Sequence, residues 1–216
     1  MKTFIAILLY FSLLSIYSQS EKLIYYYDVD GSKISKKNYV EKSSRYKSLN
    51  KNYLFITFEN DTCYIKKLVK RKNYGKLKKS ELDSLYKTIN NTTKSNQKFT
   101  LIHYHPGRDG CNDGSISSNG IKNNIYNKQY LRRLKKDYKI YWIYKKDETL
   151  NFEKAKSIDW QIDKNQFIEK TFFKYHYLCN SFVIIDNDTG NYISIFGESG
   201  GQTVIEIAEE MKKIKN

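Results

Sequence analysis

The chain has one proline, ten glycines and three cysteines in 216 residues. So few breakers leave few natural interruptions, and no low-complexity linker or internal repeat divides the chain. Three cysteines (Cys63, Cys111 and Cys179) exclude a small domain stapled by disulfides, and the length is enough to build a core without staples. Arginine is also scarce. The formal net charge of +15 is carried almost wholly by lysines spread along the chain, with arginine only at Arg45, Arg71, Arg108, Arg132 and Arg133. Arginine is the residue best suited to bidentate phosphate and base contacts, so no nucleic-acid partner is expected. The densest basic run, Lys66 to Lys79 (KKLVKRKNYGKLKK), reads as a solvated strand end and loop. Beyond the first twenty residues no run is long and apolar enough to span a membrane.

Those first residues, MKTFIAILLYFSLLSIYSQS, have the build of a secretory signal peptide. Lys2 gives a basic start, Phe4 to Tyr17 an apolar core too short for a comfortable span, and Ser18-Gln19-Ser20 a small, polar exit. The expectation is an exported protein, periplasmic or extracellular, in which any two cysteines that meet can oxidise. We divide the chain into residues 1–20 (signal peptide), 21–97 (an N-terminal β-hairpin and helix) and 98–216 (the main α/β domain).

Within 21–97, EKLIYYYDVDGSK predicts a strand closed by an Asp30-Gly31 turn, followed by a short helix. YLFITFENDTCYIKKLV predicts a β-hairpin turning at Asn60-Asp61, with Cys63 on the apolar face beside Ile56, Phe58 and Ile65 as an inert buried thiol. A helix starts near Ser80, where Ser80 and Asp83 form a capping-box-like pair. From Lys98 the pattern alternates. KFTLIHYH is a strand ended by Pro106-Gly107, and a helix with a face of Ile121, Ile125, Leu131, Leu134 and Tyr138 follows. KIYWIYKK is a second, nearly continuous apolar strand. Asp163 and Gln166 cap FIEKTFFKY, SFVIID is a third strand, Asn187 to Gly190 turns it into NYISIFGE, and a last helix carries Val204, Ile207, Ala208 and Met211. Strand–helix–strand units imply parallel pairing, and the hairpin adds an antiparallel edge.

That order from Phe99 onward, with the closing stretch CNSFVIIDNDTGNYISIFGESGGQTVIEIAEEM (Cys179 to Met211), resembles the thioredoxin-like fold. The resemblance implies an α/β architecture: a mixed sheet with flanking helices, preceded by the N-terminal hairpin and helix. In that family the first central strand leads to a Cys-x-x-Cys at the start of a helix, and a cis-proline stands before the third strand. Here TLIHYHPGRDGCNDGS takes the first place with one cysteine, Cys111, and Leu178-Cys179-Asn180 takes the second without a proline. Carried over residue by residue, the resemblance implies that Cys111 and Cys179 lie close, as a disulfide or a reversible redox pair. Arg108 and His105 are the groups able to depress a thiol pKa there. With neither Cys-x-x-Cys nor cis-proline, the expected role is binding or stress-related with little or no catalysis. The alternative is a thiol–disulfide oxidoreductase or thiol peroxidase using Cys111 with Cys179.

A third alternative is metal chemistry. His103 and His105 are two apart on a strand and share a face, so with Asp109 (or Cys111 or Asp113) they make a candidate zinc set. HYHP also resembles the His-x-His-Pro of JAMM-type metalloproteases, which would imply a metal-dependent hydrolase. That family needs a further aspartate where Ile116 stands, Asp113 comes too early, and Glu59 is the one upstream glutamate to consider. The expectation is therefore no cofactor, with zinc as the alternative. His176 lies near Cys179 in sequence and adds a third imidazole to that neighbourhood.

Overall fold

The structure is a computed structural model that describes residues 22–43, 52–89, 96–107, 132–145, 159–177, 179–197 and 199–214. The signal peptide, the helix face at Ile121, Ile125 and Leu131, and the site residues Arg108, Asp109 and Cys111 lie outside the described residues. The chain forms two compact units, residues 1–69 and 70–216.

In the first unit, LIYYY forms strand β1 (Leu23–Tyr27). The chain then turns through Gly31 at φ 89, where the Asp28 N–H donates to the Ser32 carbonyl at 2.9 Å. Helix α1 (Lys36–Ser43) buries Tyr39 against the ring of Tyr26, 5.0 Å between centroids. Strands β2 (Tyr53–Glu59) and β3 (Cys63–Lys70) complete a three-stranded sheet of order β1-β3-β2, with β1 parallel to β3. The expected hairpin is present, but its turn lies one residue further on. The Asn60 N–H donates to the Cys63 carbonyl at 3.1 Å, which leaves Asp61-Thr62 as the two turn residues. The Asn60 side chain is the cause. Its Oδ1 accepts from the backbone N–H groups of Thr62 (3.0 Å) and Cys63 (2.7 Å), so Asn60 flanks the turn and bridges it. Cys63 is buried and free, as expected, whereas Phe58 is 43% exposed.

The second unit is a six-stranded sheet with helices on it. Its edge strand β4 (Lys72–Lys76) lies inside the basic run expected to be a strand end and loop; the strand end is β3, and the expected loop is largely this further strand. Helix α2 (Lys79–Thr88) begins earlier than expected: the Lys78 N–H donates to the Glu81 carboxylate at 2.7 Å, so the capping pair is Lys78 with Glu81 and not Ser80 with Asp83. Then come β5 (Phe99–His105), β6 (Tyr138–Tyr144), the three-residue β7 (Trp160–Ile162), α3 (Phe167–Phe172), β8 (Ser181–Asp186), β9 (Asn191–Ile195) and α4 (Gly201–Lys213). Tyr138, expected on a helix face, is the first residue of β6.

The strand order is β4-β9-β8-β5-β6-β7. β5, β6 and β7 run parallel, whereas β8 is antiparallel to β5, β9 to β8 and β4 to β9. Every residue of β5 and β8 is buried, which is why neither strand shows the apolar–polar alternation of a half-exposed one. On one face Phe99, Leu101, Phe182, Ile184, Ile193 and Ile195 pack against Val204, Ile207, Ala208 and Met211 of α4. Burying each of the larger side chains contributes about 1.5–3 kcal/mol. The opposite face carries Tyr104 and Tyr192, which pack on Phe173 and Phe172 at the end of α3. Asp163 positions α3. Its buried carboxylate accepts from the N–H groups of Ile168 (3.0 Å) and Glu169 (2.9 Å) across a loop in which Asn165 and Gln166 are both left-handed. Burial pushes this carboxyl above its usual range, and the two N–H donors only partly offset that. Among the described residues no helix is long and apolar enough to cross a membrane.

Candidate functional site

The described site candidates, His103, His105 and Cys179, lie where β5 ends and β8 begins. β5 and β8 are antiparallel in the register His103↔Phe182 and Tyr104↔Ser181. The chain leaving β5 and the chain entering β8 therefore lie side by side at one end of the sheet, as the sequence predicts. Cys179 stands two residues before Ser181, half-buried, with φ 68. A left-handed backbone at a residue other than glycine is costly and is kept only where the surroundings impose it. Cys63 is the one free cysteine among the described residues. Next to Cys179, Asn180 Oδ1 is buried without a partner among the described residues. Ser181 Oγ accepts from the Gly197 N–H at 3.1 Å, which ties the entry of β8 to the loop after β9.

His103 and His105 point to one face of β5, but they do different things. His103 is buried and stacks on Trp142, ring centroids 4.0 Å apart and 9° from parallel. Burial pushes its pKa down to about 3, so the imidazole is neutral. The Nδ1 of His105 accepts from the Gly107 N–H at 3.2 Å. That closes the turn at Pro106-Gly107 and occupies Nδ1 with a backbone donor. Trp160 packs edge-on to His105, Trp142 and Tyr144. Among the described residues no group of three His, Cys, Asp or Glu side chains converges on a metal position. His176 is exposed.

Sequence reasoning missed Tyr104. Its hydroxyl is buried on the opposite face of β5 with no partner among the described residues. Burial and the nearby carboxylates of Glu169 and Asp163 push its pKa far up, which keeps the phenol protonated. Alternation along β5 places Tyr104 opposite His103 and His105, but nothing in the sequence signals an unmatched hydroxyl. Nearby, Lys145 pairs with Glu169 at 2.7 Å, and its N–H donates to the His105 carbonyl at 2.9 Å.

Two parallel strands, an antiparallel third strand with its hairpin partner, and a closing helix on the face of that hairpin make the fold of the second unit thioredoxin-like. The sequence matches no protein-family profile and no curated protein. Among solved structures, the chain is similar to a domain of a possible thiol-disulfide isomerase from Cytophaga hutchinsonii. That likeness has 14% identity and a TM-score of 0.33, and covers 54% of this chain and 77% of the other. The fold assignment rests on the strand order and not on that likeness.

Proposed function

We propose that this is an exported thioredoxin-like protein in which Cys111 and Cys179 form one disulfide across the end of the sheet. In this reading the disulfide holds a binding surface and does not turn over as a dithiol catalyst. The register Tyr104↔Ser181 supports it most directly, because it sets the segment entering β8 beside the segment that runs on to Cys111. Cys179 is not a free thiol, whereas Cys63 is buried and free, and both observations support the pairing. Two features favour a fixed bond over turnover. There is no second cysteine within a short loop of Cys111 to resolve a mixed disulfide, and no proline precedes β8. An exported location keeps such a bond oxidised.

Peptide mapping under non-reducing conditions, on protein isolated from an oxidising compartment, tests the pairing. The expected product is a Cys111–Cys179 crosslinked peptide, and two free thiols overturn it. Insulin-reduction and peroxide-consumption assays test the role. Activity at background level is expected, and Cys111-dependent turnover, with Arg108 lowering the thiol pKa, would replace the binding role by that of a thiol enzyme.

A further inference from the structure

At the end of the sheet away from Cys179, the second unit carries a cleft of about 630 Å³. One wall is α2 with the residues that lead into it, and the other is the β8–β9 turn, Asn187 to Gly190. Leu77, Leu82 and the ring of Tyr86 give it an apolar lining. Lys76, Lys78, Lys79 and Lys87 also line it, and all four are exposed. None of the four makes an ion pair among the described residues, whereas Lys72, Lys145 and Lys212 elsewhere in this unit each pair with a carboxylate. Asp83 and Asp188 lie in the same cleft, so four ammonium groups face two carboxylates.

The turn wall is held in place. Asp186 Oδ1 accepts from the N–H groups of Asp188 (2.9 Å) and Thr189 (3.0 Å). The Leu77 N–H donates to the Gly190 carbonyl at 2.9 Å, which ties the two walls together. Gly190 has φ 75, and a Cβ there would sit 2.5 Å from the Leu77 carbonyl oxygen, so only glycine allows this approach. The cleft is therefore preformed, apolar within and positive at its mouth, the combination expected of a small-molecule site.

We propose that this cleft binds a small anion with an apolar or aromatic body, such as an aryl or acyl phosphate or carboxylate. The body lies on Leu77, Leu82 and Tyr86, and the anionic group sits among the lysines. Neither part suffices alone. Ammonium groups in water hold a bare anion weakly, because both stay well hydrated, and a neutral body forgoes the charge-assisted hydrogen bonds. This site is independent of the cysteine pair.

The test is a two-dimensional amide NMR titration of the purified protein with phenyl phosphate, compared with inorganic phosphate and with benzyl alcohol. Saturable shifts are expected at residues 76–87 and 187–190, with each half-ligand binding at least about tenfold more weakly. The double variant Lys78→Glu, Lys87→Glu should weaken phenyl phosphate by about tenfold or more while keeping native amide dispersion. If that variant does not fold, Lys76→Gln with Lys79→Gln serves under the same criterion. The proposal fails if shifts do not saturate or spread over lysines elsewhere. It also fails if inorganic phosphate binds as tightly as phenyl phosphate, or if charge removal changes affinity by less than about twofold.

Discussion

The two ends of the six-stranded sheet are finished differently. Where β8 ends, polar groups close the structure. The Thr100 hydroxyl donates to Asn187 Oδ1 at 2.9 Å, Asn187 Nδ2 donates to the Gln97 carbonyl at 2.8 Å, and Asp186 holds the following turn. Where β8 begins, Cys179 is left-handed, and Asn180 Oδ1 and the Tyr104 hydroxyl are buried without partners among the described residues. An unmatched buried polar group costs about 1–3 kcal/mol; among the described residues the second end carries two beside a left-handed cysteine, whereas the first carries one, the Tyr86 hydroxyl. Such costs concentrate where geometry is held for something other than folding, and this is the end that carries the candidate cysteine chemistry.

The contrast can be tested by size of effect. The largest is expected at the closed end. Asn187→Ala leaves the Gln97 carbonyl and Thr100 hydroxyl to find other partners and should cost about 2–3 kcal/mol in urea unfolding. A loss under about 0.5 kcal/mol would mean that this end is not closed by Asn187.

The next is a pH effect at the other end. The folded pKa of His103 is depressed to about 3, below its ordinary 6.5. Between those values the unfolded chain binds a proton that the folded chain refuses, so stability is complete above about pH 6.5 and falls as pH drops. From pH 7 to pH 5 the loss through this one group is about 2 kcal/mol. Paired urea titrations at the two pH values should show that loss in the parent and not in His103→Phe, whose ring keeps the stack on Trp142. An equal loss in both proteins would remove His103 as the cause.

A smaller effect is expected at Cys179. Cys179→Gly should be more stable than Cys179→Ala by about 1 kcal/mol, because only glycine takes a left-handed backbone without penalty. Equal midpoints would contradict the left-handed assignment. The smallest effect is at Tyr104. Tyr104→Phe should change stability by less than about 0.5 kcal/mol, or raise it, since the lost hydroxyl has no partner among the described residues. Tyr138→Phe is the matched control. It removes a bond to the Ala208 carbonyl, 2.8 Å in the structure, and should lose about 1 kcal/mol.

The sequence was readable where burial dictates the pattern. β5, β6 and β8 are largely or wholly covered on two faces, so their apolar runs stand out, and the strand–helix–strand then hairpin order carries the topology with them. It was unreadable where lysine stands in for a structural residue. β4 is KNYGK, an edge strand with no alternation, and the backbone N–H of Lys78, not its side chain, makes the capping bond to Glu81. The hairpin turn was misplaced by one residue because asparagine can flank a turn as well as occupy it, and only the Oδ1 contacts of Asn60 decide between the two. At the site, the nearness of the two segments followed from strand order, and His103 and His105 sharing a face followed from alternation. Their separate duties did not, because stacking on Trp142 and bonding to Gly107 depend on neighbours far away or on loop geometry.

The missing side chain at Gly75 has a reach well beyond its own strand. A β-carbon there would lie 2.3 Å from Cζ of Tyr192, so the tyrosine ring occupies the space that the glycine leaves vacant. Tyr192 in turn meets Phe172 edge-on at 5.0 Å, and Phe172 is the last residue of α3. Enlarging position 75 by a single methyl would therefore push the tip of the Tyr192 ring aside, and the edge contact through which that ring meets the end of α3 would have to follow it.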